Sequence, residues 1–241
     1  MEENNTQLTM TFKKIAIIVA MEKELNLLLP MLSDRKCVEI DGYAFHTGVS
    51  NNTEIIAMKS GIGKVNAALA TITLIDSFQP DLVISTGVAG GTGAGAGILD
   101  IVVADRVAFH DVWCGPGTEW GQAAGFPKFF TSDSRVTTIP ALTESNCVHH
   151  GLICSGDFFV SSPDEVKVIK ERFPDVLAVE MESGAIAQVC YRKGVPYFCL
   201  RVVSDTPGAD ENISQYNDFW EQAPQHTFEM LRSIIAELNA I

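Results

Sequence analysis

Four charged side chains that could take part in chemistry lie close together in the sequence, namely Glu180, Glu182, Arg201 and Asp205. Carboxyl groups can donate a proton, accept one or stabilise a positive charge, and an arginine can hold a carboxylate by paired hydrogen bonds. The glutamates stand at the end of an apolar run, residues 176–181, and the aspartate follows a second apolar run, residues 197–203. The spacing indicates a candidate active site whose geometry depends on how the two runs are placed.

A strand, a helix and a second strand are predicted across this stretch. The apolar runs are typical of buried strands, and residues 183–193 form a helical pattern that Gly194 and Pro196 terminate. This order is the βαβ pattern of a parallel sheet. Because ligands of open α/β sheets bind outside the carboxyl ends of the strands, the pattern predicts that the charged side chains meet at one edge.

Length and composition predict a single α/β domain. The chain has 241 residues, 46% of them hydrophobic and 20% charged, and no segment has the composition of a linker. About eight strands and five or six helices in mixed order follow from the periodicity. Residues 1–12 are predicted to be a frayed leader, and residues 13–241 the folded domain.

The net charge of −13 argues against polyanionic partners, since such a surface repels nucleic acids and anionic membranes. The first ten residues lack a signal-peptide pattern, and no apolar run approaches the ~18 residues of a membrane helix. We therefore expect a soluble, cytoplasmic protein with neither nucleic acid nor membrane as its partner.

The six cysteines are expected to be free thiols. None belongs to a C-x-x-C pair or has a metal-ligand spacing to a histidine, and several lie in apolar runs, where a thiol behaves as a small hydrophobe. Neither a disulfide framework nor a metal site is predicted, and no motif indicates a cofactor.

A further pair of acids, Glu22 and Glu24, lies where a predicted first strand, residues 14–20, meets a helix. Acids in the first turn of a helix commonly complement its dipole. From the sequence alone, this structural role and a catalytic one both remain open.

Two glycine-containing segments suggest nucleotide binding, but their spacing does not support it. Residues 61–64 and 87–97 match neither the dinucleotide fingerprint nor the phosphate-binding P-loop. A surface loop is expected over residues 92–97. The long segment 112–130 is rich in aromatic residues, which favours a pocket wall or a subunit contact over disorder.

The remaining signals predict ordinary elements of an α/β domain. Apolar spacing, turn residues and capping residues mark their bounds. They are a hairpin (43–49 and 54–60), a helix with Val65, Ala68, Leu69, Ile72 and Ile75 on one face, strands over 100–110 and 151–160, a helix capped by Ser162, and a terminal helix (219–238) with Pro224 as a candidate interruption.

Seven short segments, taken in order, resemble the 5′-methylthioadenosine/S-adenosylhomocysteine nucleosidases of the nucleoside phosphorylase/hydrolase superfamily. Each is weak alone, but the ordered set covers most of residues 14–220. The segments are KIAIIVAMEKEL (14–25), SGIGKVNAALA (60–70), TGVAGG (86–91), DIVVADRVAFHD (100–111), SGDFFV (155–160), AVEMES (178–183) and RVVSD (201–205).

The resemblance implies a fold and a reaction. The expected fold is a single-domain three-layer sandwich, with a central mixed, partly barrel-like sheet flanked by helices. The expected reaction is hydrolysis of the N-glycosidic bond of 5′-thio-substituted adenosines, without a cofactor. Such a reaction needs protonation of the leaving base, stabilisation of positive charge on the ribose and a deprotonated water.

The resemblance also assigns the three catalytic roles. Asp205 matches the general acid at purine N7, and Ser204 would orient it by a hydrogen bond. Glu24 matches the glutamate that activates the attacking water. Glu182 matches the residue that binds the ribose hydroxyls and supports the developing cation.

Residues around these acids are expected to hold the ribose. Met181 would pack against the sugar, and Arg201 would help to hold the Glu182 carboxylate. For Glu180, a ribose contact and a structural ion pair with Arg201 are equally compatible with the sequence.

The other binding residues follow from the same matches. Phe159 would stack on adenine and Val160 would read its edge through backbone groups, whereas Phe158 is expected in the core. The backbone of Ala89 and Gly90 would lie along the nucleoside. The 5′ tail would meet Met21, Tyr216 and, in a homodimer, the 112–120 loop of the neighbouring subunit.

Three alternatives remain open at this point. A futalosine-type nucleosidase would keep the chemistry and change the 5′ group, and residues 112–130 match the family too loosely to decide between them. A purine nucleoside phosphorylase would use phosphate as the nucleophile. A non-catalytic nucleoside-binding protein would not need the three carboxylates.

Overall fold

The computed structural model describes residues 12–207, 209, 212–222 and 224–238, and these contain eleven strands and eight α-helices. The strands are β1 Lys14–Val19, β2 Ser33–Ile40, β3 Tyr43–Ser50, β4 Thr53–Lys59, β5 Leu82–Ser85, β6 Val88–Gly91, β7 Ile101–Phe109, β8 Phe130–Thr131, β9 Val148–Ser155, β10 Val176–Glu180 and β11 Tyr197–Asp205. The helices are α1 Glu22–Leu28, followed by a 3₁₀ turn Leu29–Met31, α2 Lys64–Phe78, α3 Ser134–Thr137, α4 Pro140–Thr143, α5 Pro163–Arg172, α6 Ser183–Lys193, α7 Asn212–Gln222 and α8 Pro224–Leu238.

All the strands belong to one mixed sheet in the order β2-β3-β4-β1-β5-β11-β6-β10-β9-β7-β8. An additional pairing of β11 with β7 closes the five strands β11, β6, β10, β9 and β7 into a ring. Helices cover both faces of the sheet. The predicted mixed, partly barrel-like α/β fold is therefore confirmed.

Two-sided burial explains the near-continuous apolar run of β1. Ile15 and Ile17 point into a core that also receives α1 and α8, whereas Ala16 and Ile18 point into a second core beside α2 and α6. Successive side chains of a strand face opposite sides, so a strand covered on both faces needs apolar residues at every position.

The predicted parallel βαβ unit is wrong in its topology. β10 and β11 are not neighbours, because β6 lies between them and runs antiparallel to β10 but parallel to β11. Gly90 of β6 pairs with both Val179 and Asp205. This four-residue strand was not predicted, and it brings the two acidic strand ends to the same place.

Several other elements differ from prediction in ways that burial explains. β2 was not predicted, because its residues are almost all exposed and show no apolar alternation. The predicted apolar face of α2 is also largely exposed, and the helix buries Ala67, Ala70 and Leu74 instead. The predicted terminal helix is two helices, and Pro224 begins the second, a position that suits proline.

The hairpin between β3 and β4 is confirmed. Its turn residues Asn51 and Asn52 both have positive φ, as a tight hairpin turn requires. The predicted leader lies outside the described residues except for Phe12, which is buried. Among the described helices, none is both long and apolar enough to cross a membrane.

Candidate active site

A cleft at the strand ends brings together all of the predicted site residues except Arg201. It contains about 630 Å³ of empty space including its mouth, a size that suits a small molecule. Its walls are Ala20, Met21, Glu24, Ile62, Val88, Ala89, Gly90, Phe158, Phe159, Val160, Val179, Glu180, Met181, Glu182, Ser204, Asp205 and Tyr216. Residues of the 112–120 loop do not line it within one chain.

Glu24 is held by backbone N–H groups from two segments. Ala20 and Met21 donate to its Oε2 at 3.0 and 2.9 Å, and Val88 donates to its Oε1 at 3.2 Å. The residue therefore caps α1 as well as lining the cleft, so its structural and chemical roles coexist. Burial raises the pKa of Glu24, and the three N–H groups and Arg201 oppose that shift.

Gly87 permits this arrangement. Its φ is +147°, and a Cβ atom at this position would lie 2.5 Å from Glu24 Oε1. A side chain here would therefore displace the carboxylate, which explains the glycine directly before β6.

Glu182 is bound to the start of a helix. Its Oε1 accepts a hydrogen bond of 2.8 Å from the N–H of Gly63, which precedes α2. Burial, followed by the repulsion of the Glu180 carboxylate, raises the pKa of Glu182 to about 8, although the Gly63 N–H lowers it. Oε2 accepts no hydrogen bond from the described residues, and the residue lines the cleft.

Glu180 and Arg201 form a buried ion pair, with 2.7 Å between Arg201 Nη2 and Glu180 Oε2. The carboxylate also accepts hydrogen bonds from the Ser155 and Ser183 hydroxyls and from the N–H groups of Glu182 and Ser183. Although burial opposes ionisation, these partners lower the pKa of Glu180. Arg201 thus bonds to Glu180, and its predicted contact with the Glu182 carboxylate is not formed.

Asp205 is 2% exposed and has a partner on each oxygen. Ser204 Oγ donates to Oδ1 at 2.6 Å, and the side-chain amide of Asn212 donates to Oδ2. Burial raises the pKa of Asp205, and the two hydrogen bonds oppose that shift. A carboxyl group with a raised pKa keeps its proton at higher pH and can act as a general acid.

The aromatic wall differs from prediction at one residue. Phe158 was expected in the core, but it is 40% exposed and lines the cleft next to Phe159. It also packs edge-on against His110. Phe159 contacts Tyr216 with ring centroids 5.8 Å apart, and the Tyr216 hydroxyl lies 3.5 Å from Met21 Sδ.

Sequence reasoning missed three groups that position the carboxylates: the N–H of Gly63, the N–H of Val88 and the amide of Asn212. Backbone donors leave no side-chain signature, so only the glycine before α2 could have drawn attention to its position. Asn212 lies at the start of α7, where asparagine is an ordinary capping residue.

Comparison with known proteins identifies relatives that match nearly all of the chain. The family model of the phosphorylase superfamily matches residues 14–236. A 5′-methylthioadenosine/S-adenosylhomocysteine nucleosidase of Lysinibacillus sphaericus is 40% identical over 230 residues, which cover 93% of this chain and 100% of that protein. A second one, from an Exiguobacterium species, is 41% identical over 232 residues, covering 94% and 99%.

Solved structures agree in fold. The S-adenosylhomocysteine nucleosidase of Streptococcus pyogenes in complex with 5-methylthiotubericidin has a TM-score of 0.90 at 36% identity, covering 95% of this chain and 98% of that one. The 5′-methylthioadenosine/S-adenosylhomocysteine nucleosidase of Neisseria meningitidis in complex with methylthio-immucillin-A has a TM-score of 0.88 at 37% identity, covering 93% and 99%. The chain belongs to the 5′-methylthioadenosine/S-adenosylhomocysteine nucleosidases of the phosphorylase superfamily.

Proposed function

We propose that this protein hydrolyses the N-glycosidic bond of 5′-methylthioadenosine and S-adenosylhomocysteine, releasing adenine and the thioribose. One observation supports this most strongly. Three carboxyl groups from distant parts of the chain, Glu24, Glu182 and Asp205, border a single cleft, and each has a different set of hydrogen-bond partners.

Asp205 is proposed to protonate adenine at N7. The C1′–N9 bond breaks with its electron pair going to the base, which is a poor leaving group unless it gains a proton. The raised pKa of Asp205 favours the acid form that this step consumes, and Ser204 fixes its orientation. Phe159 and the backbone of Val160, Ala89 and Gly90 are placed to hold the base.

Glu24 is proposed to take a proton from the attacking water as its oxygen bonds to C1′. A carboxylate offers about four acceptor positions, and three of those on Glu24 receive backbone N–H groups. The fourth remains for the water. The N–H groups hold this carboxylate in one orientation and favour its ionised form, which is the form a base requires.

Glu182 is proposed to bind the ribose hydroxyls and to stabilise the positive charge that develops on the sugar. Its Oε2 is available, and its Oε1 is fixed by Gly63. The positive charge that develops on the sugar lowers the pKa of Glu182 from about 8 and favours its carboxylate form, which then stabilises that charge. Met181 is placed to pack on the sugar, while the pair of Glu180 and Arg201 supports the wall behind it.

Water, rather than phosphate, is the nucleophile that the surrounding donors favour. A phosphate would need N–H groups at a helix start or loop, but here carboxylates occupy three of them. Gly63 donates to Glu182, Lys64 donates from its backbone to Asp157, and Val88 donates to Glu24. The Lys64 side chain is also paired, with Asp111 at 2.7 Å.

The proposal is tested by following adenine release from purified protein. We expect turnover of 5′-methylthioadenosine and S-adenosylhomocysteine, with aminodeoxyfutalosine a poorer substrate by kcat/KM. A preference for aminodeoxyfutalosine would identify a futalosine-type nucleosidase. Binding of methylthioadenosine with no adenine released would identify a nucleoside-binding protein instead.

We also propose that the protein acts as a homodimer. The outer face of α2 exposes Val65 (69%), Leu69 (54%) and Ile72 (40%), and these border an apolar groove with Val112 and Phe126. Exposed apolar patches of this kind mark interfaces. The groove adjoins the 112–120 segment, which supports the proposal that this segment completes the neighbouring subunit's cleft.

Light scattering after size exclusion should give twice the chain mass of 26.2 kDa. Leu69→Glu should shift the protein to the monomer and lower kcat/KM, because a buried unpaired charge opposes association. Ser77→Glu introduces the same charge on an exposed part of the same helix and should leave the dimer intact. A monomeric, fully active wild-type protein would contradict the proposal.

We place this activity in a reducing compartment such as the cytoplasm. All six cysteines are free, and Cys37, Cys114 and Cys147 are exposed. Exposed free thiols are typical of proteins that stay in such a compartment, where disulfides are rare.

A further inference from the structure

A lysine lies at the rim of the cleft, where its charge is held by aromatic rings. Lys23 is on α1, and its Nζ lies 3.7 Å from the ring centroid of Trp220 and 4.8 Å from that of Tyr216, both on α7. Ammonium groups at such distances from ring faces are attracted by the ring electrons. The two helices therefore fix the position of a side chain that would otherwise be mobile.

This ammonium is free to bind an anion. Its neighbour Glu22 is paired with Lys59 at 2.8 Å, whereas Lys23 has no ion pair with any side chain that the structure describes. The rings orient the ammonium without neutralising its charge. Partial desolvation lowers the pKa of Lys23, and the nearby Glu24 carboxylate opposes that shift.

The rim position adjoins the end of the cleft where a 5′ substituent would leave. Tyr216 lines the cleft, its hydroxyl lies 3.5 Å from Met21 Sδ, and Lys23 packs against the same tyrosine ring. In the proposed function Asp205 protonates the base, whereas Met21 and Tyr216 meet the 5′ tail. A substituent long enough to pass the methionine and the tyrosine would reach the ammonium.

Charge gives this lysine a specific role. The residues that line the cleft include four acids, Glu24, Glu180, Glu182 and Asp205, and no lysine or arginine among the described residues. A carboxylate on the 5′ tail would therefore find no cationic partner inside the cleft and would need one near the exit. A methylthio group has no charge and would be indifferent to it.

We propose that Lys23 binds the carboxylate of an amino-acid tail on the 5′ sulfur and so adjusts the preference between S-adenosylhomocysteine and 5′-methylthioadenosine. This inference rests on the proposed function and goes beyond it. Lys23 is a specificity residue at the rim and takes no part in bond breaking.

The test uses four substrates that differ only in the tail. Beside the two natural compounds, 5′-S-(3-carboxypropyl)-5′-thioadenosine retains the carboxylate without the ammonium, and 5′-S-(3-aminopropyl)-5′-thioadenosine retains the ammonium without the carboxylate. Adenine release is measured for the wild type, Lys23→Gln and Lys23→Arg. Lys59→Gln serves as the matched control, since it removes an equal charge from an exposed lysine at the end of β4.

For Lys23→Gln we expect kcat/KM of the carboxypropyl compound to fall about fivefold, the upper end for a partly exposed ion pair, chiefly through KM. The kcat/KM of S-adenosylhomocysteine should fall by less, that of methylthioadenosine should not change, and that of the aminopropyl compound should not decrease. Added salt should reduce the difference in kcat/KM between the wild type and Lys23→Gln for the carboxypropyl compound, because it screens the interaction of the two charges. Lys23→Arg should restore most of the loss, and Lys59→Gln should show no dependence on the tail.

If Lys23→Gln changed kcat/KM equally for all four substrates, the inference would be overturned, and the role of Lys23 would be structural. Unchanged kinetics with the carboxypropyl compound would overturn it as well. Failure of the proposed function is a different result, in which the wild type releases adenine from none of the four compounds.

Discussion

Replacing Asp205 by asparagine is expected to lower kcat for adenine release about a thousandfold, within the range for loss of a positioned general acid. The variant cannot donate a carboxylic proton to N7, so the base must leave without it. The fold should survive. Ser204 can still donate to Oδ1 of the new amide, and Asn212 can rotate its own amide to accept from the new NH₂.

The pH dependence gives a second measure of the same role. Because burial raises the pKa of Asp205, the acid form persists at higher pH, and wild-type kcat should fall as pH rises through that raised value. In the asparagine variant, this decrease of kcat with rising pH should be absent. Unchanged thermal stability with a kcat within tenfold of the wild type would refute the assignment of Asp205 as the acid.

Replacing Glu182 by glutamine is expected to lower kcat/KM by on the order of a hundredfold or more, the scale of a lost electrostatic stabiliser, and at the same time to stabilise the fold. The folded-state pKa of Glu182 is about 8 against an ordinary 4.5. The stability that this side chain contributes is therefore complete below about pH 4.5, where the carboxyl group is protonated in the folded and unfolded states alike. It is lost as the pH rises to 8, because the buried carboxyl group must then ionise.

Glutamine has no such pH dependence, so the stability of Glu182→Gln relative to the wild type should increase across this window. By pH 9 we expect a gain of up to about 5 kcal/mol in the free energy of unfolding, the free-energy equivalent of a pKa of about 8 against 4.5. Urea unfolding at a series of pH values measures it. A gain that does not grow with pH would show that the Glu182 carboxyl is not strained by its burial.

The neighbouring glutamate provides a control of opposite sign. Glu180 is ionised, bonded to Arg201 and surrounded by donors, and its pKa is lowered. Glu180→Gln would leave the guanidinium buried without its partner, so a loss of about 3–5 kcal/mol is expected. Two acids separated by one residue should therefore respond to the same substitution in opposite directions.

The local character of the chain was largely predictable from its sequence. Short segments of a few residues are enough to predict several elements. Examples are the apolar run of β1, the paired asparagines of the β3–β4 turn and the Ser162 cap of α5. The fold class followed from the order of such elements. The positions of Glu24, Glu182 and Asp205 followed from family resemblance, because no local pattern relates acids so far apart.

What could not be predicted depends on contacts between distant segments. The glycines of β6 look like a turn until β10 and β11 are placed on either side of them. The apolar residues of α2 predict a buried face, yet the helix has apolar residues on two sides and buries the one with alanines. Phe158 is an apolar residue in an apolar run, which predicts a buried position. Because β9 ends at Ser155, the residue lies beyond the strand and lines the cleft.

The identity of the sugar product, determined by mass spectrometry after reaction of 5′-methylthioadenosine, tests the central claim most directly. In phosphate-free buffer we predict adenine and free 5-methylthioribose, with the same rate and the same products when phosphate is added. A protein that released adenine only with phosphate present, forming 5-methylthioribose 1-phosphate, would contradict the assignment of Glu24 as the group that activates water.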